Sequence, residues 1–136
     1  MLIYVFEIED GEKHQKILEY FEMTLRNIKQ FNENANVFVL IHKIDKVPFE
    51  ERARKIEHKQ REIAEIADRE KVNIKKYFAT SIWDESLYQA WSSIVQQLIP
   101  NQKFIKNTLQ NLCEISMCNE AVLFERETFL ILSQHH

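Results

Sequence analysis

Three short apolar runs alternate along the chain with longer segments of helical periodicity. The runs cover residues 2–8, 37–41 and 74–79 and contain β-branched and aromatic residues, which predicts strands. The first five positions of residues 2–8 are all apolar, as in a strand buried on both faces. Strands that alternate with helices imply right-handed crossovers and a three-stranded parallel sheet with flanking helices, which is an α/β fold.

Three amphipathic helices are predicted around these strands. The first covers residues 14–31, and its apolar stripe is Leu18, Phe21, Leu25 and Ile28. The second covers residues 50–71, and its inward positions are Ala53, Ile56, Ile63 and Ala67. The third is capped by Asp84 and stopped by Pro100, and its buried side is Leu87, Trp91, Ile94, Val95 and Leu98.

The organisation changes after Pro100. Residues 104–118 predict a further helix whose apolar stripe is Ile105, Leu109, Leu112 and Ile115. Two short strands, residues 121–125 and 128–132, then flank a charged turn. A hairpin of this kind is only marginally stable alone.

The composition of the 136 residues, 45% hydrophobic and 29% charged, is typical of a globular protein of one-domain size. The net charge of −3 provides no basic surface for nucleic acid. No apolar run approaches the roughly 20 residues of a membrane span, so we expect a cytoplasmic chain without membrane insertion. Cys113 and Cys118 favour reduced core or interface thiols over a disulfide or a zinc site.

The candidate chemistry follows the second predicted strand, in the sequence His42-Lys43-Ile44-Asp45, which resembles the guanine-reading loop of a GTPase. One carboxylate, that of Asp45, can accept two parallel hydrogen bonds from the ring N–H and the exocyclic amine of guanine. Adenine cannot supply that pair. Lys43 can lay its methylene stem along the purine, or against the loop that would otherwise carry phosphate, while its ammonium stays in water. The alternative is that Asp45 merely caps the polar turn before Pro48.

A second candidate loop, Thr80-Ser81-Ile82-Trp83, follows the third predicted strand and resembles in its position the second base-contacting loop of small GTPases. Backbone N–H groups of Ser81 and Ile82 can donate to the guanine oxygen. Both loops lie beyond the carboxyl ends of parallel strands, where such sheets bind ligands. His42 either bridges the two loops or is a buried histidine bonded to the backbone. Trp83 and Trp91 are expected in the core rather than stacked on a ligand.

Phosphate chemistry is not encoded in this chain. Its single glycine, Gly11, precedes Glu12, so no GxxxxGK[ST] phosphate loop is possible. We therefore predict no catalytic residue. No metal ligand is predicted either, because the adjacent His135 and His136 point to opposite faces of a strand.

The chain resembles the Rag GTPases, on the RagA/RagB side of that family. The resemblance is carried by residues 37–45, 80–85, 90–95, 97–100 and 123–126, and it extends over nearly the whole chain. His42, at a position where most GTPases have asparagine, is itself a mark of the family. The resemblance implies that residues 1–100 are the C-terminal half of a Ras-like, P-loop-type GTPase domain and that residues 101–136 begin a roadblock-like dimerisation domain.

On this resemblance the chain begins at the fourth strand of a six-stranded sheet and lacks the phosphate loop, the switch threonine and the DxxG segment. It would then contact only the guanine of GTP or GDP, without hydrolysis, and Mg²⁺ would belong to a full-length parent. The uncovered strand at residues 2–6 would become a sheet edge, so we expect self-association.

The resemblance also implies a role for the parent protein. It would form a heterodimer with a second Rag-type GTPase, bind roadblock scaffold proteins at the lysosomal or vacuolar surface, and signal amino-acid sufficiency to TOR complex 1. Two alternatives stay open: a nucleotide-independent interaction module and a non-functional truncated remnant.

Overall fold

Three parallel strands form a sheet in the amino-terminal part of the chain. The computed structural model describes residues 1–136 and places the strands at β1 (Leu2–Glu7), β2 (Val37–His42) and β3 (Ile74–Thr80). Their order is β1-β2-β3, with β2 in the centre. Helices α1 (His14–Phe31) and α2 (Phe49–Arg69) connect them. The predicted α/β fold with a three-stranded parallel sheet and flanking helices is confirmed.

The core of this region lies where one face of the sheet meets α1 and α2. Alternate residues of β2 face that core because side chains of a strand alternate between its faces. The buried cluster is Phe6, Ile8, Phe21, Leu25, Val37, Val39, Ile41, Val47, Ile63, Ile66 and Ala67. The ring centroids of Phe6 and Phe21 lie 5.0 Å apart at a steep angle, a favourable aromatic geometry. Replacing Phe21 with alanine would cost about 3–5 kcal/mol.

Strand β1 differs from its prediction as a strand buried on both faces. It pairs only with β2, so its other edge is open. Phe6 is buried, but Val5 is 52% exposed. An edge strand lacks the second neighbour whose side chains would help to cover that face.

A buried cation on α2 was not predicted. Lys59 is only 4% exposed, and its ammonium contacts the carboxylate of Asp10, which is 7% exposed. Asp10 also contacts His14 at 3.0 Å, and His14 Nε2 lies 3.0 Å from Glu62 Oε1. This group of four residues, the α1–α2 clasp, joins the start of α1 to the middle of α2. Ala53, predicted to face inward, is exposed.

Helix α3 (Ser86–Leu98) begins where Asp84 accepts a hydrogen bond from the Ser86 N–H at 2.9 Å. Its buried residues are Ala90, Ser92 and Ile94. The predicted buried side is therefore wrong at two large residues, since Trp91 and Leu98 are 38% and 45% exposed.

Contacts divide the chain into two compact units, Met1–Leu87 and Tyr88–His136. The domain boundary after residue 100 stays a prediction.

The second unit contains α4 (Gln102–Ser116) and an antiparallel hairpin of β4 (Ala121–Phe124) and β5 (Ile131–His135). The predicted apolar stripe of α4 is correct at Leu109 but wrong at Leu112 and Ile115, which are exposed. The second strand begins three residues later than predicted, at Ile131 rather than Thr128. Phe129 has φ +58°, and this left-handed residue extends the turn.

No helix of the chain is long and apolar enough to cross a bilayer. Cys113 is a buried free thiol, and burial raises its pKa. Cys118 is also free and is exposed.

Candidate functional site

The carboxyl ends of the three parallel strands form a continuous row of residues. Glu7 of β1 is in register with His42 of β2, and His42 is in register with Thr80 of β3. His42 Nδ1 lies 2.8 Å from the hydroxyl of Thr80, which is fully buried. This contact joins the two loops predicted to read the base. Of the two interpretations of His42, the contact favours a bridge through its side chain, and the role of His42 in base binding stays a prediction.

A single 3-10 turn, Ile44–Lys46, carries Asp45 beyond the end of β2. The turn is closed by backbone hydrogen bonds from Lys46 to Lys43 at 3.1 Å and from Val47 to Ile44 at 3.2 Å. Val47 is 1% exposed and anchors the turn in the core. Lys43 enters the turn with φ +62° and ψ 38°, in the left-handed region. That conformation directs the chain sharply away from the strand.

Asp45 is held by the second loop. The hydroxyl of Ser81, a residue only 1% exposed, donates a hydrogen bond of 2.6 Å to Asp45 Oδ1. The Trp83 N–H donates to the same hydroxyl at 3.1 Å. Oδ2 of Asp45 has no hydrogen-bond partner in the protein. The carboxylate is therefore fixed in direction, and both oxygens can still accept from a ligand, because a carboxylate oxygen has two lone pairs and Ser81 uses only one of those on Oδ1.

The two predicted backbone donors of the second loop differ. The Ser81 N–H donates to Ser86 Oγ at 2.9 Å, so it is already satisfied within the protein. The Ile82 N–H has no such partner. Ser81 thus takes part through its hydroxyl, which sequence reasoning did not foresee, and Ile82 keeps the amide predicted for it.

Trp83 is not a core residue. Its side chain is 79% exposed, and that of the neighbouring Ile82 is 66% exposed. The prediction that Trp83 lies in the core is wrong, because the hydrogen bond between its amide and Ser81 holds the backbone while the ring stays in solvent.

Three residues of this region were not predicted to take part. In the sequence, Thr80 is one residue of the second loop and Ser86 lies near the start of a predicted helix. Glu7 is an acidic residue in the first predicted strand. The ammonium of Lys43 contacts the Glu7 carboxylate. The position of Glu7 at the carboxyl end of a predicted strand was the available signal, since parallel strands bring these ends together.

A large cavity lies away from this site. It has a volume of about 600 Å³ and is lined by β1 and the turn that follows it, including Tyr4, Val5 and Glu12. None of the five predicted guanine-contacting residues lines it. The candidate site is instead an open surface at the end of the sheet.

Comparison with known proteins gives a match over residues 1–136 to the family described as "Gtr1/RagA G protein conserved region". The chain is 44% identical over 133 residues to Ras-related GTP-binding protein A of Dictyostelium discoideum, which covers 98% of the chain and 43% of that protein. It is 39% identical to Ras-related GTP-binding protein B of Rattus norvegicus, over 99% of the chain and 35% of the relative.

Yeast relatives of two kinds also match. GTP-binding protein GTR1 of Saccharomyces cerevisiae is 38% identical over 97% of the chain and 42% of its own length. GTP-binding protein GTR2 of the same yeast is 30% identical over 97% of the chain and 39% of its own length. The chain therefore spans less than half the length of these relatives.

Proposed function

The chain belongs to the Gtr1/RagA family of G proteins, and on that premise we propose that it supplies the guanine-selecting part of a GTP-binding switch protein. The observation that carries this proposal is the fixed carboxylate of Asp45. Ser81 orients Oδ1 at 2.6 Å, and Oδ2 stays open at the carboxyl end of the sheet.

The donors and acceptors of this surface are complementary to guanine. A carboxylate accepts from the ring N–H and the exocyclic amine, and an open backbone amide, that of Ile82, donates to the ring carbonyl. Adenine presents a ring nitrogen acceptor where guanine has its N–H, so it would place a lone pair against the carboxylate. The stem of Lys43 covers one face of the base in this arrangement, and His42 holds the two loops together through Thr80.

The base contacts account for only part of nucleotide binding. The chain has no glycine-rich phosphate loop, and its structure has no group of His, Cys, Asp or Glu side chains that could hold a metal ion. We therefore assign no residue of this chain to Mg²⁺ or to hydrolysis. For the chain alone we expect a guanosine Kd of about 1 mM or weaker, which corresponds to at most about 4 kcal/mol.

An NMR titration of the ¹⁵N-labelled chain tests this function. Guanosine is expected to shift the amide signals of residues 42–46 and 80–83, whereas adenosine at the same concentration leaves them unchanged. Asp45→Ala is expected to abolish the response. Asp68→Ala, an exposed aspartate on α2, is the matched control. Equal shifts with adenosine, or an unchanged response of Asp45→Ala, would contradict the proposal.

For the whole protein we propose the wider role of a Rag heterodimer subunit. In that role it pairs with a Gtr2-type GTPase, binds roadblock scaffold proteins at the lysosomal or vacuolar surface, and relays amino-acid sufficiency to TOR complex 1. The match to relatives of both the Gtr1 and the Gtr2 kind supports the pairing. Residues 101–136 would begin the roadblock-like dimerisation domain. Co-purification of the full-length protein with a Gtr2-type partner, in the presence and absence of residues 101–136, tests this assignment.

A second candidate function is a nucleotide-independent interaction module. The second unit favours it, because Phe104, Ile115 and Met117 are 72%, 81% and 91% exposed on or next to α4. Large exposed apolar groups are typical of protein-binding surfaces. Partner binding that persists in Asp45→Ala, together with no guanosine response in the unmodified chain, would favour this module. A chain that binds neither guanosine nor a protein partner and that aggregates would fit the remaining alternative, a non-functional truncated remnant.

A further inference from the structure

One carboxylate from β1 meets both lysines that flank Asp45. Lys43 and Lys46 lie on either side of the turn that carries Asp45, and the Lys43 ammonium contacts Glu7 Oε1. The Lys46 Nζ lies 3.6 Å from Glu7 Oε2. Glu7 is the last residue of β1 and is in register with His42, so the strand itself fixes where this carboxylate stands.

Apart from this carboxylate, side-chain contacts hold the turn only at Asp45, through Ser81, and at its end, where Val47 is buried and its carbonyl accepts from Arg52. Lys43 is left-handed at φ +62°, a conformation that costs a residue with a Cβ on the order of 1 kcal/mol. Only two backbone hydrogen bonds, of 3.1 and 3.2 Å, close the turn. Without a counter-charge the ammonium groups of Lys43 and Lys46 would repel each other.

We infer that Glu7 is a positioning residue of the guanine-reading turn: its carboxylate clamps Lys43 and Lys46 and thereby fixes Asp45. The inference concerns how the site is built, and its consequence for the base rests on the function proposed above. Glu7 does not touch the base in this arrangement. It holds the Lys43 ammonium so that the stem of Lys43 lies across the site.

The protonation state of Glu7 agrees with this role. The hydrogen bond from Lys43 holds the pKa of the Glu7 carboxyl below its ordinary value, and Lys46 acts in the same direction. The carboxylate is therefore charged throughout the neutral range.

The clamp acts locally. The side chains of Glu7, Lys43 and Lys46 are 44%, 40% and 50% exposed, and exposed ion pairs contribute little to global stability. Removing the charge of Glu7 is therefore expected to leave the unfolding midpoint nearly unchanged while the turn loosens. This separation distinguishes positioning from a general structural role.

The test compares Glu7→Gln, Glu7→Asp and the unmodified chain without ligand. Glu9→Gln is the matched control, because Glu9 is an exposed acid two residues further on that pairs with Lys55 instead. In Glu7→Gln the ¹H–¹⁵N ammonium signal of Lys43 and the amide signals of residues 43–47 are expected to shift. In Glu7→Asp these signals are expected to lie closer to those of the unmodified chain, and in Glu9→Gln they are expected to stay unchanged. Unchanged signals in Glu7→Gln would overturn the inference whether or not guanosine binds.

The second measurement is the guanosine affinity of the same variants. We expect Glu7→Gln to weaken binding about three-fold, as two exposed ion pairs imply. Raising the ionic strength to 1 M is expected to weaken guanosine binding by the unmodified chain by a similar factor. Guanosine binding by Glu7→Gln is expected to change hardly at all. If the unmodified chain shows no guanosine response, the proposed function fails, and the ligand-free signals still decide on the clamp. An affinity equal in Glu7→Gln and the unmodified chain would contradict positioning.

Discussion

Ser81 Oγ lies 2.6 Å from Asp45 Oδ1, although the two residues are 36 positions apart in the sequence and leave different strands. The hydroxyl is buried, whereas the aspartate is exposed. A buried donor thus determines the direction of an exposed carboxylate.

Ser81→Ala removes a hydrogen bond to a charged group and frees the Asp45 carboxylate to rotate. We expect guanosine affinity to fall roughly ten-fold, because such a bond contributes about 1.5 kcal/mol. NMR titration measures the change, and Ser116→Ala, an exposed serine at the end of α4, is the control. Affinities that agree within two-fold would show that Ser81 does not orient the carboxylate.

Asp45→Asn is expected to change which base is bound. Its amide group can donate to the carbonyl that xanthine carries in place of the exocyclic amine of guanine, while the carboxylate acceptor for that amine is lost. We expect guanosine binding to weaken at least ten-fold and xanthosine to become the better ligand. Parallel titrations with both nucleosides measure this preference. Retention of guanosine preference would place base selection elsewhere.

Lys59→Met is expected to destabilise the chain by about 3 kcal/mol. It leaves the carboxylate of Asp10, only 7% exposed, without its buried counter-charge. Urea unfolding followed by circular dichroism measures the loss. Lys55→Met is a matched control on the same helix, because its partner Glu9 is 46% exposed, and we expect a cost below about 1 kcal/mol. Equal losses of unfolding free energy in Lys59→Met and Lys55→Met would contradict a buried ion pair between Lys59 and Asp10.

The α1–α2 clasp also predicts a dependence on pH. The hydrogen bond to Asp10, and a second to Glu62, hold the pKa of His14 above its ordinary value. His14 therefore contributes its full stabilisation below about pH 6.5 and loses it as the pH rises through the raised folded-state pKa.

His14→Gln isolates this contribution. We expect it to cost more at pH 5.5 than at pH 8.5, by less than about 1 kcal/mol because the ring is partly exposed. Urea unfolding at both pH values measures the difference. His58→Gln, at a histidine that is 71% exposed, is the control. A cost of His14→Gln that rises with pH would contradict the assignment.

Asp10 gives the stability a pH dependence of the opposite sign, at low pH. Burial raises the pKa of its carboxyl, but hydrogen bonds from Lys59 and His14 outweigh burial and hold the pKa below its ordinary value. Its stabilisation is therefore lost only in acid, as the pH falls through the lowered pKa.

Val5→Lys is expected to reduce self-association of the chain. Val5 lies on the open edge strand and is 52% exposed, and a lysine at a sheet edge discourages pairing with another chain. Light scattering across a concentration series measures the apparent mass. Met23→Lys, at an equally exposed position on α1, is the control and is expected to leave the mass unchanged. A monomer at high micromolar concentration before any substitution would contradict the premise.

The sheet and its connections were largely predictable from the sequence. The central strand was predicted at residues 37–41 and is observed at Val37–His42, and α1 matches its prediction at His14–Phe31. Both follow from strong local signals, an unbroken apolar run and a clear helical stripe. The placement of both loops at one end of the sheet followed from strand direction alone.

Side-chain partners and solvent exposure were less predictable. Lys59 lies in a helix with charges on nearly every face, so no periodicity marks it as buried. The pairing of Glu7 with Lys43 depends on a left-handed backbone at a residue that has no glycine or asparagine signal. Phe129 misled the hairpin prediction for the same reason, since it is also left-handed. Trp83 shows that an aromatic residue next to a site is a poor marker of the core.

Strand β3 carries one extra residue near its start. The register shifts between Val37 and Phe38, which pair with Ile74 and Lys76, so Lys75 has no partner. From Phe38 to His42 the pairing is uninterrupted. Differences in the length of the loop between α2 and β3 can therefore be absorbed at the far end of the sheet. A change in the length of that loop is therefore expected to leave the contact between His42 and Thr80 in place.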